Sequence, residues 1–301
     1  MLGSITNMDK NMTREKNQSI ELFDGRQLGY AEFGSENGVP VFYFHGAATS
    51  RLEMPFNEQE LVEKGVRVIC TDRPGHGLSD FQPNRKLLDW PEDIRQLSDY
   101  LSIDKLYAIG YSHGGPYVLA CCLQLPDKVI AGSVVSGWAP PNRSGAYKKM
   151  PIGNLILNGS ARYFPWLTKR IRRMMMSMIT GDVQEVAQKF MASVPESDKE
   201  ILASNKAKDN LTVSVREGFR NGWEGIAHDD VVVNQNWGFD IKDIQTPIEI
   251  WHGQLDVNLP YHAAEYLHKW LPNSRLMAMP DEGHFIMIKH ATKVLTSLVD
   301  A

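Results

Sequence analysis

The chain has 301 residues, of which 43% are hydrophobic and 23% charged. That balance excludes disorder over most of the length, and a chain this long buries a sizeable core as one large domain or as one domain with an insertion. The net charge of −4 excludes a global basic field of the kind that draws nucleic acid.

Residues 1–18 are polar and mixed in charge, with no apolar run of signal-peptide length, and are read as a loose tail. Residues 19–33 read as two short strands turning at Asp24-Gly25. The run Val41-Phe42-Tyr43-Phe44 is continuously apolar, as a strand covered on both faces must be, and it stops at His45-Gly46. A helical stretch over 53–64 ends at Gly65. A second buried strand, 66–70, runs into Thr71-Asp72-Arg73-Pro74-Gly75-His76-Gly77. Asp89 is placed to cap a helix over 91–102, in which Ile94, Leu97 and Leu101 share a face. A third strand, 106–110, is followed at once by Ser112 and a helix to residue 125, and a fourth spans 130–136. Strands at 248–251 and 276–279 are each followed by a helix, 261–270 and 285–299. Strands alternating with helices predict an α/β fold with a mostly parallel, doubly wound central sheet.

One stretch breaks the alternation. No run of the buried-strand kind lies between residues 138 and 239; helix-like pieces there carry Met174, Met175, Met176, Met178 and Ile179, then Val183, Val186 and Phe190, and a further piece spans 216–223. This predicts a helical cap, 138–239, inserted into a core of 19–137 and 240–301 and covering the carboxyl edge of the sheet, where open α/β folds bind ligands. The longest apolar stretch, 129–138, is broken by Gly132, Ser133, Ser136 and Gly137 and falls far short of the ~20 residues of a membrane helix. No stable membrane association is expected, and the expected compartment is the cytoplasm. Cys70, Cys121 and Cys122 are expected as reduced thiols in the interior.

Gly110-Tyr111-Ser112-His113-Gly114 fits G-x-S-x-G between a strand and a helix, the context of a nucleophile elbow. Glycines let the turn be sharp enough to expose the serine hydroxyl, and the following helix N-terminus offers N–H groups to an oxyanion. A serine needs a base. Of the nine histidines, His284 follows the last strand and reaches the same sheet edge as Ser112. His262, His268 and His290 lie within helices, and His45 and His252 are competing bases or loop-packing residues. Asp256 closes the strand before and is the candidate to hold His284 in one tautomer; its loop is expected to open on the site cavity. The backbone N–H groups of Ala47 and His113 are the candidate oxyanion donors, with the His113 side chain packed beside the elbow.

The order Ser112, Asp256, His284 is that of the α/β-hydrolase triad. With His45-Gly46, Asp72 to Ser79, Gly110 to Gly115 and Gly283-His284, residues 20–298 resemble the α/β-hydrolase superfamily. The resemblance implies a structural role for the Asp72 to Ser79 loop, and likens the insertion to the cap of the family's esterases, lactonases, peroxidases and proline iminopeptidases. His45-Gly46-Ala47-Ala48 lacks the proline that follows His-Gly-x in epoxide hydrolases, and those enzymes and dehalogenases use an aspartate nucleophile. Both chemistries are disfavoured.

The reading is a serine hydrolase of a small, mostly apolar carboxylic ester or lactone. His45, Trp138, Trp166, Phe219 and Trp223 are candidate substrate-binding residues, and Tyr163 and Phe164 are further cap aromatics that either line an apolar acyl pocket or hold the cap down. The basic cluster Lys169, Arg170, Arg172 and Arg173 is read as a solvated face of a cap helix. A small-molecule partner is expected, with no cofactor and no metal, since no His/Cys/Asp cluster has ligand spacing. Two alternatives stand beside it. One is an aminopeptidase resembling proline iminopeptidases, with Glu217 or Glu224 holding the substrate ammonium. The other is a ligand-sensing protein with little turnover.

Overall fold

A computed structural model describes residues 16–141, 148, 150–179 and 194–300. Most of the predicted tail, and the pieces with Val183, Val186 and Phe190, lie outside the described residues. Eight strands form one sheet: β1 (Gln18–Glu21), β2 (Gln27–Gly34), β3 (Val39–Phe44), β4 (Val66–Thr71), β5 (Leu106–Tyr111), β6 (Val129–Val135), β7 (Ile248–Gly253) and β8 (Ser274–Met279). Their spatial order is β1-β2-β4-β3-β5-β6-β7-β8. β1 pairs with β2 and β2 with β4 antiparallel, and the remaining pairs are parallel. The predicted doubly wound α/β sheet is the one observed.

Successive strand residues point to opposite faces, so β3 feeds two cores at once. Phe42 and Phe44 join one cluster with Trp90, Leu97, Tyr117 and Val118, while Val41 and Tyr43 join the other with Leu61, Ile286 and Val294. The first cluster lies under helices α2 (Trp90–Tyr100), α3 (Gly114–Gln124) and α9 (His262–Trp270), and the second under α1 (Glu58–Glu63) and α10 (Ile286–Val299). All three cysteines are buried free thiols, and burial pushes each one up.

Two helix starts differ from the sequence reading. The stretch predicted from residue 53 becomes helical only at Glu58, because Pro55 lacks an N–H and disfavours helical backbone at Met54. Asn57 then caps α1, accepting from the N–H groups of Gln59 and Glu60. Asp89 does not cap α2; its carboxylate accepts from the Lys86 N–H and closes a 3-10 turn, Leu87–Asp89, that leads into the helix.

Between β6 and β7 the described residues hold five helices and no strand: α4 (Ile152–Tyr163), α5 (Pro165–Ile179), α6 (Glu196–Ala203), α7 (Asn205–Gly218) and α8 (Glu224–Asn234). α4, α5 and α8 pack on one another, and α6 packs on α7 and α10. Ser50, in the loop after β3, donates to the Ser214 carbonyl of α7 at 3.0 Å. No helix among the described residues is long and apolar enough to cross a membrane.

Candidate active site

Ser112 is the first of two residues between β5 and α3, with φ at +52°. A non-glycine residue in the left-handed region is strained by roughly 1–3 kcal/mol and persists only where its surroundings enforce it. Here they do. The Ser112 N–H donates to the Val135 carbonyl at 2.9 Å, and its own carbonyl accepts from the Gly115 N–H at 3.1 Å. A Cβ on Gly114 would run into the Phe44 carbonyl, and one on Gly110 into the Gly114 carbonyl, so α3 approaches β3 and β5 only through bare backbone.

The loop after β8 brings His284 to the serine, with Nε2 at 3.1 Å from Ser112 Oγ. The loop after β7 brings Asp256, whose Oδ2 lies 2.7 Å from His284 Nδ1. A carboxylate only accepts, which assigns the proton to Nδ1 and leaves Nε2 to accept from the serine hydroxyl. Burial alone would lower the His284 imidazole; the charge and hydrogen bond of Asp256 outweigh it and raise the group. Burial likewise opposes ionisation of Asp256, but His284 and His252 hold the carboxyl well below the usual carboxylate range. Asp256 is 5% exposed, and its Oδ1 accepts from the N–H groups of Asn258 and Leu259, both at 2.8 Å. It is therefore a packing centre, contrary to the open loop expected.

His252 reaches the same carboxylate at 3.3 Å while its Nε2–H donates to the Leu259 carbonyl at 2.7 Å. It braces the acid and does not touch the serine. Asp198 of α6, which the sequence reading passed over, accepts from the N–H groups of His284 and Phe285 at 2.9 and 3.0 Å. Ser136 donates to the His284 carbonyl at 2.9 Å, so the base loop is held from two sides.

The loop after β3 is fixed by two charged groups. Glu53 accepts from the Gly46 N–H at 3.0 Å and from the Tyr43 hydroxyl at 2.6 Å, and burial raises its carboxyl. Arg73, from the Asp72 to Ser79 loop, donates to the carbonyls of His45 and Gly46. Asp72 in turn takes the Arg51 and Leu78 N–H groups, as a structural loop requires.

A cavity of about 280 Å³ opens on Ser112, His284, Ala47 and His113. Trp138 lines it. His45 is fully buried beneath the loop, with Nε2 accepting from the Arg73 N–H, and is not part of the lining. Trp166 is 66% exposed on α5, Phe219 is buried at the end of α7, Trp223 precedes α8, and none of the three lines the cavity. Tyr163 and Phe164 are exposed. The lining is mostly apolar, with Leu157, Leu211, Leu259 and Phe285, and Asn154, Asn158, Asn258 and Arg172 add polar groups to it. Lys169, Arg170 and Arg173 do face outward, but Arg172 is buried and paired with Asp230 at 2.7 and 2.8 Å. Arg172 follows the buried Thr168 by four residues and so shares the inward face of α5. Neither Glu217 nor Glu224 faces this space; Glu217 accepts from Arg51 and Arg220, and Glu224 from the Trp223 N–H.

Known proteins repeat the arrangement of the chain. A family model described as alpha/beta hydrolase fold matches residues 39–291. The uncharacterized hydrolase YcgS of Bacillus subtilis is 24% identical over 82% of this chain and 89% of its own. The bifunctional esterase/perhydrolase DCH of Acinetobacter calcoaceticus is 26% identical over 87% of this chain and 90% of its own. An esterase from Exiguobacterium antarcticum superposes with a TM-score of 0.67 at 19% identity, covering 94% of this chain and 98% of that one. The chain belongs to the alpha/beta hydrolase fold family.

Proposed function

We propose that the protein is a serine hydrolase that cleaves a small carboxylic ester or lactone through an acyl-enzyme. The observation that carries this reading is the unbroken hydrogen-bond relay from Ser112 Oγ through His284 to Asp256. Ser112 Oγ attacks the ester carbonyl carbon while His284 Nε2 takes its proton, and the resulting imidazolium faces the Asp256 carboxylate. The carbonyl oxygen becomes an oxyanion, received by the backbone N–H groups of Ala47 and His113. His284 then returns the proton to the leaving alkoxide. Water enters, gives a proton to His284 and its oxygen to the acyl carbon; the acyl–Oγ bond then breaks, His284 returns the proton to Ser112 Oγ, and the acid leaves.

The insertion over 138–239 serves as a cap that shapes the cavity, with Trp138 in its lining. Asn154, Asn158 and Asn258 in the lining suit a substrate that carries a polar group as well as hydrocarbon. The relative from Acinetobacter calcoaceticus is a bifunctional esterase/perhydrolase, which supports this reading. Turnover of p-nitrophenyl esters and of lactones, with fluorophosphonate labelling mapped by mass spectrometry, tests the reading. Label at any residue other than Ser112 overturns it.

A further inference from the structure

We propose that the Asp229 carboxylate, on insertion helix α8, is a positioning residue for both oxyanion donors, acting on Ala47 through Arg73 and on His113 directly. The proposal rests on the hydrolase reading above and adds a part to it. Asp229 is 1% exposed and gathers groups from three segments of the core. Arg73 donates to it through Nε at 3.1 Å and Nη2 at 2.9 Å, Arg85 through Nη2 at 2.6 Å, and Tyr117 through its hydroxyl. His113 Nδ1 lies 3.5 Å from its Oδ2. Burial alone would raise this carboxyl, but Arg73, His113 and Arg85 together hold it well below the usual range, so it stays charged.

The far edge of Arg73 is what reaches the site. Its Nη1 donates to the His45 carbonyl and its Nη2 to the Gly46 carbonyl at 2.7 Å. The Gly46 C=O and the Ala47 N–H belong to one planar trans peptide, and the described residues hold no cis bond. They point in opposite directions. Drawing the carbonyl down onto Arg73 therefore turns the Ala47 N–H up, on the side where Ala47 lines the cavity. Thr49 and His45 side chains also donate to the Gly46 carbonyl, at 3.1 and 2.9 Å, but both belong to the loop being positioned and give it no outside reference. Arg73 does, because Asp229 fixes its other edge. The second donor lies beside the same anchor: the His113 ring packs against Asp229 at 3.5 Å without a hydrogen bond between them, and the His113 N–H follows Ser112. One carboxylate of the insertion thus sets the spacing of two donors that come from different core loops, and docking α8 completes the oxyanion site.

The neighbouring residue provides a control. Asp230 pairs with Arg172 within the insertion and touches neither donor loop. The experiment compares the full-length protein with Asp229→Asn and Asp230→Asn, using a p-nitrophenyl ester, a trifluoromethyl ketone that adds to the serine as a tetrahedral oxyanion, and the matching methyl ketone as ground-state ligand. Displacement of a preorganised donor costs about 100-fold in rate. The expected result for Asp229→Asn is a kcat loss of about that size with KM within twofold, and an equal loss of affinity for the trifluoromethyl ketone but not for the methyl ketone. A folded Asp229→Asn with kcat within threefold of wild type overturns the proposal. So does a loss shared equally by the two ketones, or one reproduced by Asp230→Asn. Should Asp229→Asn fail to fold, because two buried guanidinium groups lose their counter-charge, Arg73→Lys is read by the same criteria; it keeps a cation beside Asp229 but cannot span both carbonyls. A wild-type chain that neither turns over an ester nor labels at Ser112 overturns the hydrolase reading itself, and this proposal with it.

Discussion

Three carboxylates face the His284 imidazole: Asp256 from the loop after β7, Asp198 from α6 and Glu53 from the loop after β3. Burial works against the charged ring, and the carboxylates, Asp256 foremost, prevail. The base consequently titrates above its ordinary value of about 6.5. In the proposed mechanism it takes a proton from Ser112 only when neutral, so kcat/KM for an activated ester should rise with pH through a single ionisation above that value and then level off. Asp198→Asn removes one negative charge and should move the rising limb to lower pH; an unmoved limb in a folded variant would show that Asp198 only braces the loop. Ser112→Ala should lose fluorophosphonate labelling and at least ~10³ in kcat. The two kinds of residue differ in how far they can be read from sequence. Ser112, Asp256 and His284 stand out because each follows a strand, with Ser112 flanked two residues away by Gly110 and Gly114 and His284 preceded by Gly283. Asp198 reaches the base across 86 positions, and nothing in a helix of polar residues tells which one turns toward a cavity. Arg172 was hidden in the same way among its basic neighbours.

At the level of elements, strands were the most legible feature, since a buried parallel strand is a short continuous apolar run whatever surrounds it. Helix starts were less so. Glu53 reads as helical by composition, yet Pro55 delays α1 and frees Glu53 to grip Gly46. The seat of α8 was not legible at all, because it depends on two glycines far apart in sequence. Gly225, in the first turn of α8, lies directly on the backbone of Gly75, and a Cβ there would collide with it. Gly225→Ala should therefore lift the start of α8 off the Asp72 to Ser79 loop. The expected outcome is destabilisation of about 1–3 kcal/mol, read as a lower Tm, because overpacking is relieved only by moving backbone. Since Asp229 sits one turn further along α8, a drop in kcat should accompany it. A variant that melts and turns over like wild type would show that the contact relaxes without cost.

Across the molecule, the sheet buries charge as well as hydrocarbon, and the buried histidines give the fold a pH dependence separate from the chemistry. The His45 and His76 rings lie 5.1 Å apart, tilted by 58° to one another, beneath the site, and both are fully buried. Burial lowers His45 well below the ordinary histidine value and His76 from 6.5 to about 3. In the unfolded chain both take protons below about 6.5, whereas the folded protein refuses them until far lower pH. The unfolded state then binds more protons, so stability falls as pH falls, by about 1.4 kcal/mol per pH unit for each such group. His284 runs the other way: its folded value is raised, so its contribution is complete below 6.5 and is lost only as pH climbs through that raised value. It adds no slope on the acid side. The depressed carboxyls of Asp256 and Asp229 act only near and below the ordinary carboxylate range. Burial also lowers His228 and raises the carboxyls of Glu53, Asp72, Asp93 and Asp198, but a variant at His76 shares all of these, so the difference in slope over about pH 4.5 to 6 isolates His76. His76→Phe keeps a ring in the same place and removes one of the two sites. Any cost of the larger ring shifts the whole stability curve by a constant and leaves its slope untouched. Urea denaturation at several pH values should show a slope about 1.4 kcal/mol per pH unit shallower in the variant across that interval. Equal slopes would mean that His76 is already protonated in the folded protein, and that its neighbours Asp229 and Arg73 balance differently from the arrangement described here.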